Sequence, residues 1–196
     1  MKSLWSKLML LCIFLLPALT VNLWGQAVPM SDAEAHQKAK ALLKQMTIEE
    51  KVGQMNQSSG VVMPMLANEK PDNLIVEGKV GSILWLIDVK EINRLQHLAV
   101  DKSRLHIPIL FAFDVIHGYR TVFPIPLAMA ASWDPGVEEA AQHLAGEDAR
   151  AAGIRWTFTP MVDIARDSRW GRIVEGAGED PYLSSHGKGA GTRIPR

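Results

Sequence analysis

Short apolar runs, spaced apart by single amphipathic helices, constrain this chain more than any other feature. Residues 80–86 (VGSILWL), 109–113 (ILFAF) and 156–159 (WTFT) read as buried strands. Residues 89–104 place Ile92, Leu95 and Ala99, with Leu98 alongside, on one helical face. Asp134 followed by Pro135 opens another helix, which runs to Ala152 and ends at Gly153, where a left-handed residue is wanted. The resulting order is strand, helix, strand, loop, helix, strand. Strands without polar alternation, joined by helices, predict parallel βα units. A doubly wound sheet and a barrel both satisfy that order.

Two helices precede the first of these strands. Ser31 with Glu34, and Thr47 with Glu50, have the spacing of capping boxes. They predict helices over 32–45 and 48–56. Leu42, Leu43 and Met46 on the first, and Ile48, Val52 and Met55 on the second, are expected to pack into a core. Residues 58–73, with Gly60, Pro64 and Pro71, read as a loop holding one short helix.

The first 26 residues read as a secretory signal peptide. Lys2 and Lys7 precede an apolar run over residues 8–16, and Gly25-Gln26-Ala27 offers small residues for cleavage. The run falls short of the about 20 residues of a membrane span, which makes an anchor the poorer reading. Cys12, the only cysteine, lies inside the run and not after it, where a lipoprotein cysteine belongs. A chain that sheds the leader has no thiol for a disulfide or a cysteine-ligated zinc. It also loses Lys2 and Lys7, so 21 basic residues become 19 against 21 acidic. No basic patch points to nucleic acid. About 170 residues would remain, one ordinary domain, against roughly 250 for a complete eight-stranded α/β barrel.

In parallel α/β folds the chemistry gathers past the C-terminal ends of the strands. Two polar clusters occupy such places. Asp114-Val115-Ile116-His117-Gly118-Tyr119-Arg120 follows ILFAF directly. Asp114 there can accept from a ligand; Asp114 and His117 can also hold a metal or pair with each other. The plainer alternative is a turn cap and a satisfied, half-buried histidine. The second cluster follows WTFT: Asp163, Arg166, Asp167, Arg169, an exposed-looking Trp170, Arg172, Glu175, Glu179 and Asp180. Arginine forks suit hydroxyl and carboxylate partners. A surface ion-pair network that only pins the loop is the alternative, and it is the better reading for Arg166 and Asp167. His97, His106 and His143 read as helix surface or core. Trp85 and Trp133 are expected in the core, with stacking on a sugar as the other option.

The stretches LFAFDVIHGYRTVFPIPLAMAASWD and FTPMVDIARDSRWGRIVEGAGEDPYL both resemble glycoside hydrolase family 3, as do LLKQMTIEEKVGQMNQ and GKVGSILW. The resemblance runs from about Ala39 to Leu183, with D-x-x-H-G, F-P-x-P, R-x-x-R-W-G-R and G-E-D-P-Y-L in the family's order. It implies the fold class: α/β, the incomplete N-terminal part of a (β/α)8 TIM-like barrel over residues 27–183. It implies retaining hydrolysis of terminal β-D-glucosyl residues, with β-xylosidase and β-N-acetylglucosaminidase as alternatives within the family. It assigns substrate binding to Asp114 and Arg172, and less firmly to Glu175. It assigns no catalytic residue to this sequence, because the family's nucleophilic aspartate and its acid/base glutamate fall beyond residue 196. A retaining glycosidase needs both carboxyl groups.

The expected partner is an oligosaccharide or β-glucoside. No cofactor, metal, nucleic acid or lasting membrane association is implied, and the oligomeric state stays open. Residues 184–196 depart from the family: glycine-rich, basic sequence stands where an amphipathic helix is expected, so a truncation or frameshift is the favoured reading. A non-catalytic sugar-binding piece, a chain without function, and a metal hydrolase built on Asp114 and His117 are the competing readings. The last finds no further ligand constellation in the sequence.

Overall fold

The computed structural model describes residues 30–60 and 71–185. The leader and the tail beyond Ser185 lie outside these residues. The chain divides into two units after Gln45.

The first unit contributes helix α1, Asp32–Gln45. Ser31 Oγ accepts the Glu34 N–H at 3.3 Å, the hydroxyl half of the expected box. Asp32 and Glu34 in the first turn and Lys44 in the last suit the helix dipole. None of its residues is buried, so the core role expected of Leu42 and Leu43 is not met within this helix.

The second unit begins with α2, Ile48–Met55, which carries a complete capping box. The Glu50 N–H donates to Thr47 Oγ1 at 3.2 Å, and the Thr47 N–H donates to Glu50 Oε2 at 2.9 Å. Glu50 also accepts from Arg104 Nε at 2.8 Å, which ties α2 to the residues after α4. Here the packing expectation fails. Ile48, Val52 and Met55 are exposed, because no described element covers their face of α2. Gly53 is the residue of α2 that is buried.

A strand missed in the sequence follows: β1, Gln57–Ser59. Its residues are polar, so hydropathy gives no sign of it. Then come α3 (Pro71–Val76), β2 (Ser82–Leu84), α4 (Val89–Lys102), β3 (Leu110–Phe113), α5 (Pro126–Ala130), α6 (Pro135–Ala151) and β4 (Trp156–Thr157). Asp88 and Asp134 cap α4 and α6 by accepting from Lys90 N–H and Gly136 N–H, both at 2.9 Å. Arg94 on α4 forks onto Asp72 of α3 at 2.7 and 2.9 Å and also bonds Glu91, which locks the two helices together.

The four strands form one parallel sheet in the order β1-β2-β3-β4. The doubly wound alternative would reorder the strands; this sheet keeps the order of the chain. Register aligns Ile83 with Phe111 on one face. There they meet Ile92, Leu95 and Ala99 of α4 and Ala145 and Ala149 of α6, all buried in one core. The opposite face carries Ala112 and its register partner Trp156. Ala112 is buried, while Trp156 and Phe158 remain partly exposed beside the free edge of β4. Because the strands are parallel, all four C-terminal ends lie along one rim of the sheet.

Candidate functional site

The rim collects the polar residues. Trp85 is the first residue after β2, Asp114 the first after β3, and residues 158–180 form the long connection after β4. Trp85 Nε1–H donates to Asp114 Oδ2 at 2.8 Å. Asp114 therefore does not pair with His117, as one reading of the sequence allowed. His117 Nδ1–H instead donates to the Phe123 carbonyl at 3.0 Å, and the Phe123 N–H returns to His117 O at 2.8 Å.

The β3–α5 connection is thus a folded loop. Gly118 (φ 122°) turns it back to bridge Val122, and a Cβ there would stand 2.1 Å from Thr121 O. Tyr119 packs edge-on against Phe113 with ring centroids 5.4 Å apart, and the burial raises its hydroxyl pKa. Two residues of α6 hold the loop from below. Asp148 accepts the Thr121 N–H at 3.0 Å, and Gln142 Nε2 donates to Ile116 O at 3.0 Å.

The connection after β4 is held as firmly. The Ala165 N–H donates to Gly178 O at 3.0 Å and closes the loop on itself. Gly178 adopts φ 102°, with Leu127 of α5 packed against it. Asp167 pairs with Arg169, not with its neighbour Arg166, and accepts both the Arg169 N–H and guanidinium. Arg166 is exposed and makes no ion pair among the described residues. The loop-pinning role therefore belongs to Asp167 and Arg169. Trp170 is half-buried and not exposed as its setting suggested.

Residues 173–175 make a single 3-10 turn, which brings Glu175 back onto Arg172. Arg172 Nε and Nη2 donate to the Glu175 carboxylate at 2.7–3.2 Å. That bond holds the Glu175 carboxyl below its ordinary range, with the field of His117 adding to it. The Arg172 guanidinium is raised, first by Glu175 and then by the fields of Asp163 and Asp114. Arg172 thus feels the fields of Asp163 and Asp114, and Glu175 that of His117, so the five residues share one electrostatic neighbourhood on the rim. The bonds to Glu175 do not use Arg172 Nη1, and Asp114 Oδ1 accepts nothing among the described residues. The rim thus offers a carboxylate acceptor after β3 and a guanidinium donor after β4, the two kinds of group that bond a polyhydroxylated ligand.

Trp85, which the sequence offers as core or as a sugar-stacking face, bonds Asp114 here, and Asp163, the first residue of the cluster after β4, acts on Arg172. Trp85 is 37% and Trp133 71% exposed, so neither is the core residue expected. The signal for Trp85 was its place one residue past a strand, hidden by a strand reading that ran on to Leu86. Among the described residues, no group of three or more His, Asp or Glu is placed to hold a metal ion.

Comparison with known proteins follows the same outline. The family described as "Glycosyl hydrolase family 3 N terminal domain" matches residues 47–190. A periplasmic beta-glucosidase of Salmonella typhimurium is 39% identical over 94% of this chain and 24% of its own length. A beta-xylosidase of Formosa agariphila is 31% identical over 94% of this chain and 21% of its own. The chain thus spans about a quarter of the curated relatives it matches. The crystal structure of beta-glucosidase from Listeria innocua in complex with isofagomine superposes with a TM-score of 0.72 at 37% identity, over 83% of this chain and 22% of that one. The parallel sheet is accordingly the opening part of a TIM-like α/β barrel, left unclosed after four strands. This chain belongs to glycosyl hydrolase family 3.

Proposed function

We propose that residues 27–183 supply the sugar-gripping part of a β-glucosidase-like site, and that the nucleophile and the acid/base come from sequence outside these 196 residues. The observation that carries this reading is that Asp114, at the tip of β3, and the Arg172–Glu175 pair, in the connection after β4, follow the C-terminal ends of adjacent parallel strands, with the field of Asp114 acting on Arg172. Asp114 accepts from a sugar hydroxyl, and Arg172, braced by Glu175, donates to a neighbouring one. Charge-assisted bonds of this kind orient a sugar but do not cleave it. Cleavage with retention takes two carboxyl groups across the scissile bond. The substrate is a terminal β-glucosyl unit, by likeness to relatives named as beta-glucosidases. The leader pattern of residues 1–26 and the periplasmic relative support export to a periplasmic or secreted location, with cleavage between about residues 23 and 27 and no stable membrane association afterwards. Residues 184–196 are read as an atypical tail, although 181–185 are still helical.

The test is binding by the purified chain, followed by NMR titration with glucose. Glucose should bind weakly and saturably. Asp114→Asn and Arg172→Lys should each weaken it on the order of tenfold, since the first loses a charged acceptor and the second a planar fork. Arg166→Lys should leave it unchanged. The chain should not hydrolyse an aryl β-glucoside above background. Turnover that Asp114→Ala abolishes would mean that the catalytic groups lie within the chain. Binding indifferent to Asp114 and Arg172 would remove the sugar site from this rim.

A further inference from the structure

The backbone N–H of Trp85 still belongs to the sheet and donates to Ala112 O at 3.1 Å. Its φ, however, is 65°, in the left-handed region. For a bulky residue that conformation is rare and strained. Glycine would take the same turn without strain. Core packing does not account for a tryptophan here, because more than a third of its surface is open to solvent.

The turn does aim the side chain. Leu84 lies in register with Ala112, so the residues that follow, Trp85 and then Asp114, leave adjacent strands at neighbouring points of the rim. The left-handed step carries the indole across to the carboxylate, where Nε1–H meets Oδ2 at 2.8 Å. Indole nitrogen is a donor only, so this bond occupies one acceptor oxygen and asks nothing in return.

We propose that Trp85 is a positioning residue: it anchors Asp114 by Oδ2, which leaves Oδ1 to meet a ligand hydroxyl, with the exposed indole ring as the adjoining wall. This rests on the sugar-site reading above. An aspartate held by one oxygen loses the freedom to rotate about its last torsion, and the ligand no longer has to order it.

Two measurements on the purified chain test it. In the sugar-free protein, the Trp85 indole N–H resonance, assigned by its loss in Trp85→Phe, should move in Asp114→Asn. A resonance that stays still removes the contact and overturns the proposal, whatever the chain binds and however well Trp85→Phe folds. The second measurement is glucose affinity in a double-mutant cycle. Trp85→Phe should weaken binding on the order of tenfold, as for a hydrogen bond to a charged group. In the Asp114→Asn background the same change should cost little, because the group it acts through is already altered. Equal losses in both backgrounds would make Trp85 a stacking surface and nothing more, which overturns the positioning role. Binding that depends on Asp114 but not on Trp85 also sinks this inference and leaves the sugar site standing. No glucose binding by the unaltered chain takes the site reading down, and this inference with it.

Discussion

Gly53→Ala puts the packing of α2 to a direct test, because two opposing effects of known size meet at one atom. Gly53 lies inside the helix, where alanine is favoured over glycine by about 1 kcal/mol. Against this, a Cβ at position 53 would stand 2.0 Å from Gly78 O and 2.7 Å from the Lys79 Cα. Both are backbone atoms. The turn that carries them is fixed by Gly78 N–H to Ile75 O at 3.1 Å and Lys79 N–H to Leu74 O at 2.8 Å. Asn56 Nδ2 grips Lys79 O at 2.9 Å as well. Neither side can swing aside as a flexible side chain would, so α2 must lift off the turn. Overpacking costs typically about 1–3 kcal/mol, and rigid backbone on the far side argues for the upper end. Net of the helix preference, the loss is about 2 kcal/mol, or a fall of about 4–8 °C in Tm for a chain of this size. Urea melts of Gly53→Ala against the parent measure it. Gly171→Ala is the control, since nothing lies within 4 Å of its Cβ. A Gly53→Ala chain as stable as the parent, or more so, would refute the close approach.

Two further outcomes follow from bonds at the surface. Thr47→Ala should cost about 1 kcal/mol in the same melts by stripping the cap from α2, and Thr47→Ser should restore most of it. The Glu175 carboxyl sits below its usual range because Arg172 donates to it. Stabilisation from that pair is therefore complete above the ordinary carboxylate range and disappears as pH falls through the lowered value. The pair is solvent-accessible, so Glu175→Gln should cost less than about 1 kcal/mol at neutral pH and nothing in strong acid. A carboxylate NMR titration should show Glu175 moving up toward its ordinary range in Arg172→Gln.

The alternation of apolar runs with helical stripes made the sheet and its parallel sense legible, since ILFAF and VGSILWL have no polar alternation to misread. Residues 57–59 were not legible. Gln-Ser-Ser has no apolar signature and becomes a strand because β2 offers it a ladder. The stripe Ile48, Val52 and Met55 does lie along a helix but is exposed, because periodicity says which residues share a face and not what covers it. At the rim, Asp114 could be placed from the end of its strand. Its bond to Trp85 depends on one left-handed residue, and a tryptophan gives no warning of that conformation. Arg172 and Glu175 lie three apart, close enough in sequence for their pairing to need only a 3-10 turn.

The coincidence of strand order with chain order also decides what each side of the rim hangs from. Each described strand pairs with the one just before it in the chain, so every pairing in the sheet joins sequence neighbours among the strands. The corner between Trp85 and Asp114 needs only β2 and β3, whereas residues 172–175 reach the rim by way of β4. Those residues follow β4, whose register with β3 rests on two pairs, Ala112 with Trp156 and Phe113 with Thr157. The acceptor side of the rim thus hangs from strands paired over three positions, and the donor side from the shortest described strand, paired over two.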